Sequence, residues 1–229
     1  MINCVLKTVL NNNLAGRIVK AALHLHNFSY QMAGQYSQCL EPDGLHPKHR
    51  LMKYHDWFKA RVKPNWHVLD VGCGNGALAY DLKDVCSKVT AIDISQDNVA
   101  KARAQFAKDG ITYICVDATA YRFEEAFDAV VLSNVLEHIE DRVRFLKGLY
   151  APYHLAPPPI LLLRVPMFTR DWITLYKKEQ GVEWRLDATH FTEYTEQSLM
   201  DELSQADLTV ESKTIQFGEF YGVVRRSIL

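Results

Sequence analysis

The sequence predicts an α/β protein built on a doubly wound, mostly parallel seven-stranded sheet, with helices ahead of it and an antiparallel hairpin at its C-terminal end. Three observations carry that expectation. Short unbroken apolar runs recur along the chain: HVLDV at 67–71, KVTAIDI at 88–94, ITYICV at 111–116, FDAVVLS at 127–133 and ILLLRV at 160–165. A strand that is apolar on both faces belongs inside a parallel sheet covered by helices. Helix-length segments separate most of these runs, and right-handed crossovers of that kind wind in both directions from a central strand. The last two runs, LTVESKTI (208–215) and EFYGVVRRS (219–227), have no helix between them, so they form a hairpin at the sheet edge.

Residues 14–33 place apolar side chains at helical spacing and read as a helix packed on the main body. Arg17, Lys20, His24 and His26 give it a polar, partly basic face that also suits a membrane surface or a partner. EPDGLHPKH (41–49) is rich in turn formers and separates an N-terminal helical extension, 1–49, from a main domain, 50–229. That domain opens with a helix over 50–61 carrying Leu51, Tyr54, Trp57 and Phe58 on one side and stopped by Pro64. A helix over 77–86 follows the first strand. Ser95 caps the next helix, 95–110, which closes on Gly110. Another lies around 140–150, and Pro157, Pro158 and Pro159 stiffen the approach to the fifth strand. Residues 166–195 are a long aromatic-rich insertion, and long loops are uncommon without a function.

The chain has 229 residues, 48% hydrophobic and 23% charged, which is globular composition. Its 26 basic and 27 acidic side chains leave a net charge of -1, which argues against a protein devoted to gripping nucleic acid. The 5 cysteines (Cys4, Cys39, Cys73, Cys86, Cys115) form no C-x-x-C pair. They read as reduced thiols of a cytoplasmic protein. No stretch approaches the ~20 apolar residues of a membrane span, and Asn11, Asn12 and Asn13 interrupt the N-terminal apolar run, so no signal peptide is expected.

The chemistry concentrates where the first strand runs into Asp70-Val71-Gly72-Cys73-Gly74-Asn75-Gly76. Alternating glycines permit a sharp turn and a close ligand approach. A carboxylate at Asp70 would repel a pyrophosphate but favours a cation. Asp93, ending the second strand, suits the two hydroxyls of a ribose. A ligand with a ribose, a cationic amine and no phosphate fits both acids.

VLDVGCGNGALAYDL, AIDIS, CVDAT and FDAVVLSNVLEHIED resemble, in order and spacing, the four motifs of class I S-adenosylmethionine-dependent methyltransferases. The resemblance covers about residues 66–150 and implies a Rossmann-like methyltransferase fold with S-adenosyl-L-methionine as cofactor. It implies that Gly72, Gly74 and Gly76 underlie the methionine part, with Cys73 as a small packing residue among them. By the same carry-over Asp70 contacts the amino end, Asp93 holds the ribose and Ile94 packs on adenine. Asp117 accepts from the adenine amino group beside Ala118, and Ser133 and Asn134 lie near the sulfonium. Arg50 and Tyr54 are expected to close over the cofactor from the N-terminal side.

The acceptor belongs beyond the carboxyl ends of the strands. Two segments reach that edge, Asn134–His138 and the 166–195 insertion. Within them His190, His138 and Glu137 are the candidate catalytic bases, and Trp172, Tyr176, Trp184 and Arg170 the candidate acceptor-binding residues. Arg164, Arg170, Lys177, Lys178 and Arg185 would grip an anionic acceptor. Asn134-x-x-Glu137-His138 also resembles the Glu-x-x-Glu-His metal site of ubiquinone-pathway and small-RNA methyltransferases, with His190 as a possible further ligand. Asn134 replaces the first acid, and an amide is a weaker ligand for Mg²⁺ than a carboxylate, so no metal is assigned. The expected activity is methyl transfer to a small molecule, on a hydroxyl of a sugar, glycan precursor or acidic metabolite. The alternatives are an amine acceptor, a metal-assisted O-methyltransferase, or a non-catalytic cofactor-binding subunit.

Overall fold

A computed structural model describes residues 12–121, 125–150 and 158–227. The expected approach through Pro157 lies outside those residues, as do Cys4 and the N-terminal apolar run.

The chain divides into two compact units, residues up to Leu51 with Asp171–Ala188, and Met52–Arg170 with Thr189–Leu229. In the first, helix α1 (Asn12–Ser37) is followed by a 3-10 turn (Gln38–Leu40) and a short helix α2 (Lys48–Met52) that runs to the unit's edge; α7 (Trp172–Glu179) completes it. Leu23 of α1 is buried. The Asn27 amide donates to the Glu183 carbonyl at 2.7 Å, and Lys177 lies 3.1 Å from His26. Among the described residues no helix is long and apolar enough to cross a membrane.

The second unit holds the sheet. Its elements run α3 (Tyr54–Lys59), β1 (His67–Val71), α4 (Ala77–Leu82), β2 (Lys88–Asp93), α5 (Gln96–Gln105), β3 (Ile111–Cys115), β4 (Ala129–Ser133), α6 (Arg142–Tyr150), β5 (Ile160–Pro166), α8 (Glu196–Gln205), β6 (Leu208–Gln216) and β7 (Glu219–Arg226). The strand order is β3-β2-β1-β4-β5-β7-β6. The first five are parallel; β7 pairs antiparallel to β5 and to β6. The doubly wound sheet with its terminal hairpin is therefore as expected.

Strand alternation divides the core. Leu69 and Val71, Val130 and Leu132, and Leu161, Leu163 and Val165 face one side, where Phe145, Leu146, Leu199 and Leu203 from α6 and α8 cover them. Val68, Val131, Leu162 and Ile160 face the other, against Phe58, Leu78, Leu82 and Val99 from α3, α4 and α5. Each such side chain contributes roughly 1.5–3 kcal/mol when fully buried. The sheet is thus held on both faces, and its carboxyl edge is free to carry loops.

Several elements depart from expectation, among them the helix expected over 77–86, which ends at Leu82. The helix over 50–61 breaks at Lys53, whose φ is 50°. Tertiary contacts pin the chain on its far side: Tyr54 lies against the Arg164 guanidinium, and the His55 ring is 2.7 Å from Asp81 on α4. The helix begun by Ser95 stops at Gln105, short of Gly110; the Tyr113 hydroxyl donates to the Phe106 carbonyl at 3.0 Å and holds it out of further helix. The insertion is not one body, since Asp171–Ala188 belongs to the first unit and Thr189 onward to the second.

Candidate active site

The glycine loop joins β1 to α4. Gly72, Gly74 and Gly76 all have positive φ (68°, 55° and 88°), the left-handed region that a side chain disfavours. At Gly72 there is a second reason for glycine: a Cβ would sit 2.5 Å from a methyl of Val135. The loop passes directly under the segment after β4, and both line one cleft of about 590 Å³. Gly72, Asp93, Ile94, Asp117, Ala118 and Val135, which come from four strand ends, share that cleft. His138, Glu140, Asp141 and Arg144 rim it.

Asp93 organises the loop. One oxygen accepts from the Gly74 amide at 2.9 Å, the other from the Ser95 amide at 2.8 Å and the Asn98 side chain at 3.2 Å. A carboxylate offers about four acceptor positions, so one remains for a ligand. Asp117 takes the Thr119 amide and hydroxyl on one oxygen, at 2.8 and 2.7 Å, which leaves its other oxygen toward the cleft's needs. Ile94 is exposed in the cleft wall. Asp70 is 1% exposed, and its Oδ2 has no hydrogen-bond partner. Burial first and Asp93 second push its carboxyl up to about 8. Burial also pushes the Cys73 thiol well up, so Cys73 stays a neutral packing group.

Beyond β4 a 3-10 turn (Leu136–His138) carries Glu137 and His138. The Phe191 amide donates to the Glu137 carbonyl at 2.9 Å, which brings His190 alongside. Ligand atoms of Glu137, His138 and His190 lie within 4.8 Å of one another. The two imidazoles meet edge to face at 4.6 Å. Glu137 is 0% exposed and neither carboxylate oxygen has a hydrogen-bond partner. Burial, with Glu219 and Glu193 adding to it, pushes its carboxyl up to about 8. All three candidate bases therefore form one cluster.

The remaining expected residues have contacts of their own. Arg50, in the first unit, is held by Glu41 at 2.7 and 3.0 Å. Tyr54 is buried under Arg164, the guanidinium carbon 3.9 Å from its ring centre. Ser133 accepts from Arg164 at 3.2 Å, and Asn134 donates to Glu219 at 3.4 Å, outside the Glu137 cluster. Trp172 and Tyr176 are ring neighbours at 6.0 Å in the first unit, and Lys178 sits over Trp184 there. The cations expected to grip an anion are engaged: Arg164 with Glu219, Arg170 with Glu193, Arg185 with Glu183, Lys177 with His26. Sequence reasoning passed over Glu193 and Glu219. They pair with arginines 23 and 55 positions away, and no local spacing announces that.

A parallel sheet with this strand order, a glycine loop after β1 and acids at the tips of β1 and β2 define a nucleoside-cofactor fold of the class I methyltransferase kind. The methyltransferase domain family matches residues 69–151. That match places a methyltransferase domain over this stretch, and the fold around it is that of the class I S-adenosylmethionine-dependent methyltransferases. It is similar to a ubiquinone biosynthesis O-methyltransferase of Bradyrhizobium diazoefficiens, 32% identical over 129 residues, 54% of this chain and 49% of that one. The chain spans about half the length of the curated relatives it matches. In structure it resembles the methyltransferase of Haloferax volcanii solved with the Trm112 activator (TM-score 0.61, 16% identity, 78% of this chain and 93% of that one). It also resembles the magnesium protoporphyrin IX methyltransferase of Synechocystis PCC 6803, solved with bound S-adenosylhomocysteine (TM-score 0.58, 20% identity, 77% and 81%). At those identities the likeness is one of fold.

The residues present fit S-adenosylmethionine. The orphaned, buried oxygen of Asp70 wants a cation, and an α-ammonium is one. The loop passes so close to Val135 that a Cβ at Gly72 has no room, and the remaining acceptor position of Asp93 suits a ribose hydroxyl. A divalent cation also has a fitting donor set. Two imidazoles and a carboxylate suit a first-row metal such as Mn²⁺ or Zn²⁺, and neither Glu137 oxygen has a hydrogen-bond partner, whereas Glu193 is paired with Arg170 and Glu219 with Arg164.

Proposed function

We propose that the chain is an O-methyltransferase: it moves the methyl group of S-adenosylmethionine to a hydroxyl of a small molecule, and Glu137, His138 and His190 form its catalytic cluster. The observation that carries this reading is the unpartnered, fully buried carboxylate of Glu137 within 4.8 Å of two imidazoles, beside the cofactor cleft that His138 rims. Such a cluster is made for taking a proton from a hydroxyl. The name carried by the relatives, an O-methyltransferase of ubiquinone biosynthesis, also favours oxygen. Arg164 and Arg170 are taken up by Glu219 and Glu193, and the substrate class proposed is a small hydroxyl compound.

The sulfonium supplies an already activated methyl: a C–O bond forms as the C–S bond breaks, leaving S-adenosylhomocysteine. The protein's share is placement and proton removal. Asp93 and Asp117 fix the nucleoside end, and Asp70 the amino end. The apolar walls given by Val71, Ile92, Val116 and Val135 keep the site poor in water, which strengthens every polar contact within it. Holding the reacting atoms near contact distance lowers the barrier entropically. The acceptor's proton passes to the Glu137 cluster. A divalent cation held by Glu137, His138 and His190 would supply Lewis acidity that lowers the hydroxyl's pKa.

Labelled S-adenosylmethionine and a panel of hydroxyl, amine and carboxylic acid acceptors test the reading. It expects O-methylated product, loss of turnover in Glu137→Ala with S-adenosylhomocysteine binding retained, and loss on EDTA reversed by Mn²⁺. Product on amines alone overturns the oxygen assignment. Full activity in EDTA removes the metal and leaves the three side chains as bases.

A further inference from the structure

Glu193 has a buried carboxylate with both oxygens committed. One lies 3.3 Å from Nδ1 of His190; the other accepts from Nη1 of Arg170. Arg170 is fixed in turn, since the same nitrogen donates to the Met167 carbonyl at 3.1 Å. Its Cβ packs against Gly218 in the β6–β7 turn, where a Cβ would come within 2.5 Å and φ is +73°. The turn is itself tied back, the Met167 amide donating to the Gly218 carbonyl at 2.9 Å. Gly218, Arg170, Glu193 and His190 thus make an unbroken line from the hairpin to the catalytic cluster, all within the second unit.

We propose that Glu193 is the positioning residue of this site: it holds His190 as the Nδ1–H tautomer, so that Nε2 keeps its lone pair for the cluster with Glu137 and His138. The inference rests on the catalytic reading of that cluster. The chemistry is direct. A neutral imidazole has one N–H and one lone pair, and whichever nitrogen donates decides where the lone pair is. A carboxylate accepts and cannot donate, so the nitrogen facing Glu193 carries the hydrogen. Carboxylate partners of this kind orient imidazoles in metal and acid–base sites, and removing one typically costs 10–100-fold in affinity or activity. Arg170 donates to Oε2 of Glu193, and His190 faces Oε1. His138 has its own support, the Thr189 hydroxyl 2.9 Å from its Nδ1.

The test uses the full chain labelled with ¹⁵N-histidine at pH 8, where ring nitrogen shifts distinguish the two tautomers. Wild type is expected to show His190 as Nδ1–H. Glu193→Leu is expected to lose that preference and to bind Mn²⁺ 10–100-fold more weakly by electron paramagnetic resonance. Glu193→Gln, whose amide oxygen still accepts, restores most of both. S-adenosylhomocysteine binding stays unchanged throughout. A wild-type His190 in the Nε2–H form overturns the proposal without any variant having to fold, and so does an unaltered tautomer in a folded Glu193→Leu. Wild type that shows the expected tautomer and binds no Mn²⁺ upholds Glu193 as the positioning group and removes only the metal from the proposed function.

Discussion

Arg164 on β5 and Glu219 at the start of β7 form a buried ion pair at the carboxyl edge of the sheet, with Arg164 2% exposed. The pair stitches the parallel half of the sheet to its antiparallel end. Glu219 also takes the Asn134 amide and the Tyr221 hydroxyl, each at 3.4 Å. Tyr54 covers the guanidinium from the other side. Removing one member leaves a buried charge with no counter-charge, a loss of about 3–5 kcal/mol. Arg164→Met is therefore expected to lower stability by that order in urea unfolding. Arg164→Met with Glu219→Gln is expected to recover most of it, because no unpaired charge then remains. A double variant as unstable as the single one would show that packing, and not charge, is what the pair supplies.

Gly72 lets the loop after β1 pass close to Val135. Gly72→Ala adds a methyl group 2.5 Å from Val135 at a φ of 68°. Backbone strain at a left-handed position costs about 1–2 kcal/mol, and the clash adds to it. The expected outcome is a lower melting temperature together with weaker S-adenosylhomocysteine binding. Adding Val135→Ala relieves the clash and not the strain, so it restores part of both. No effect of the first substitution would contradict the close approach.

Asp70 gives the protein a pH dependence opposite to that of an ordinary salt-bridged acid. Its carboxyl is raised to about 8 in the folded chain from an ordinary 3.8. Between those pH values the native state keeps a proton that the unfolded state releases. Its contribution to stability is full below pH 4 and falls as pH rises to 8, by at most about 1.4 kcal/mol per pH unit. Thermal melts of Asp70→Asn between pH 5 and 8 are expected to be flatter than those of wild type. Affinity for S-adenosylhomocysteine, whose ammonium prefers the ionised acid, is expected to rise with pH over the same range. Superimposable profiles of the two proteins would contradict this role.

The sheet was readable because burial on both faces leaves continuous apolar runs. Those at 67–71, 88–94 and 160–165 match β1, β2 and β5 to within a residue. Helix ends were less so where distant residues decide them, as Arg164 and Asp81 do around Lys53. Helices α7 and α8 carried local signals that went unused. Asp171 accepts from the Thr174 amide at 2.6 Å, and Thr195 and Ser198 form a capping box. In the site, the strand-end acids and the glycines stood out by spacing, and Glu137, His138 and His190 by residue type. Glu193 and Glu219 did not: they are ordinary surface-type residues in the sequence, and folding alone makes them the counter-charges of Arg170 and Arg164.

Calorimetric titration with S-adenosylhomocysteine, run beside NADH and repeated on Asp93→Ala, addresses the central claim most directly. The expected result is saturable 1:1 binding of the sulfur nucleoside by wild type, at least tenfold weaker binding by the variant, and no heat from the dinucleotide. Saturable NADH binding with none of the sulfur nucleoside would contradict the account.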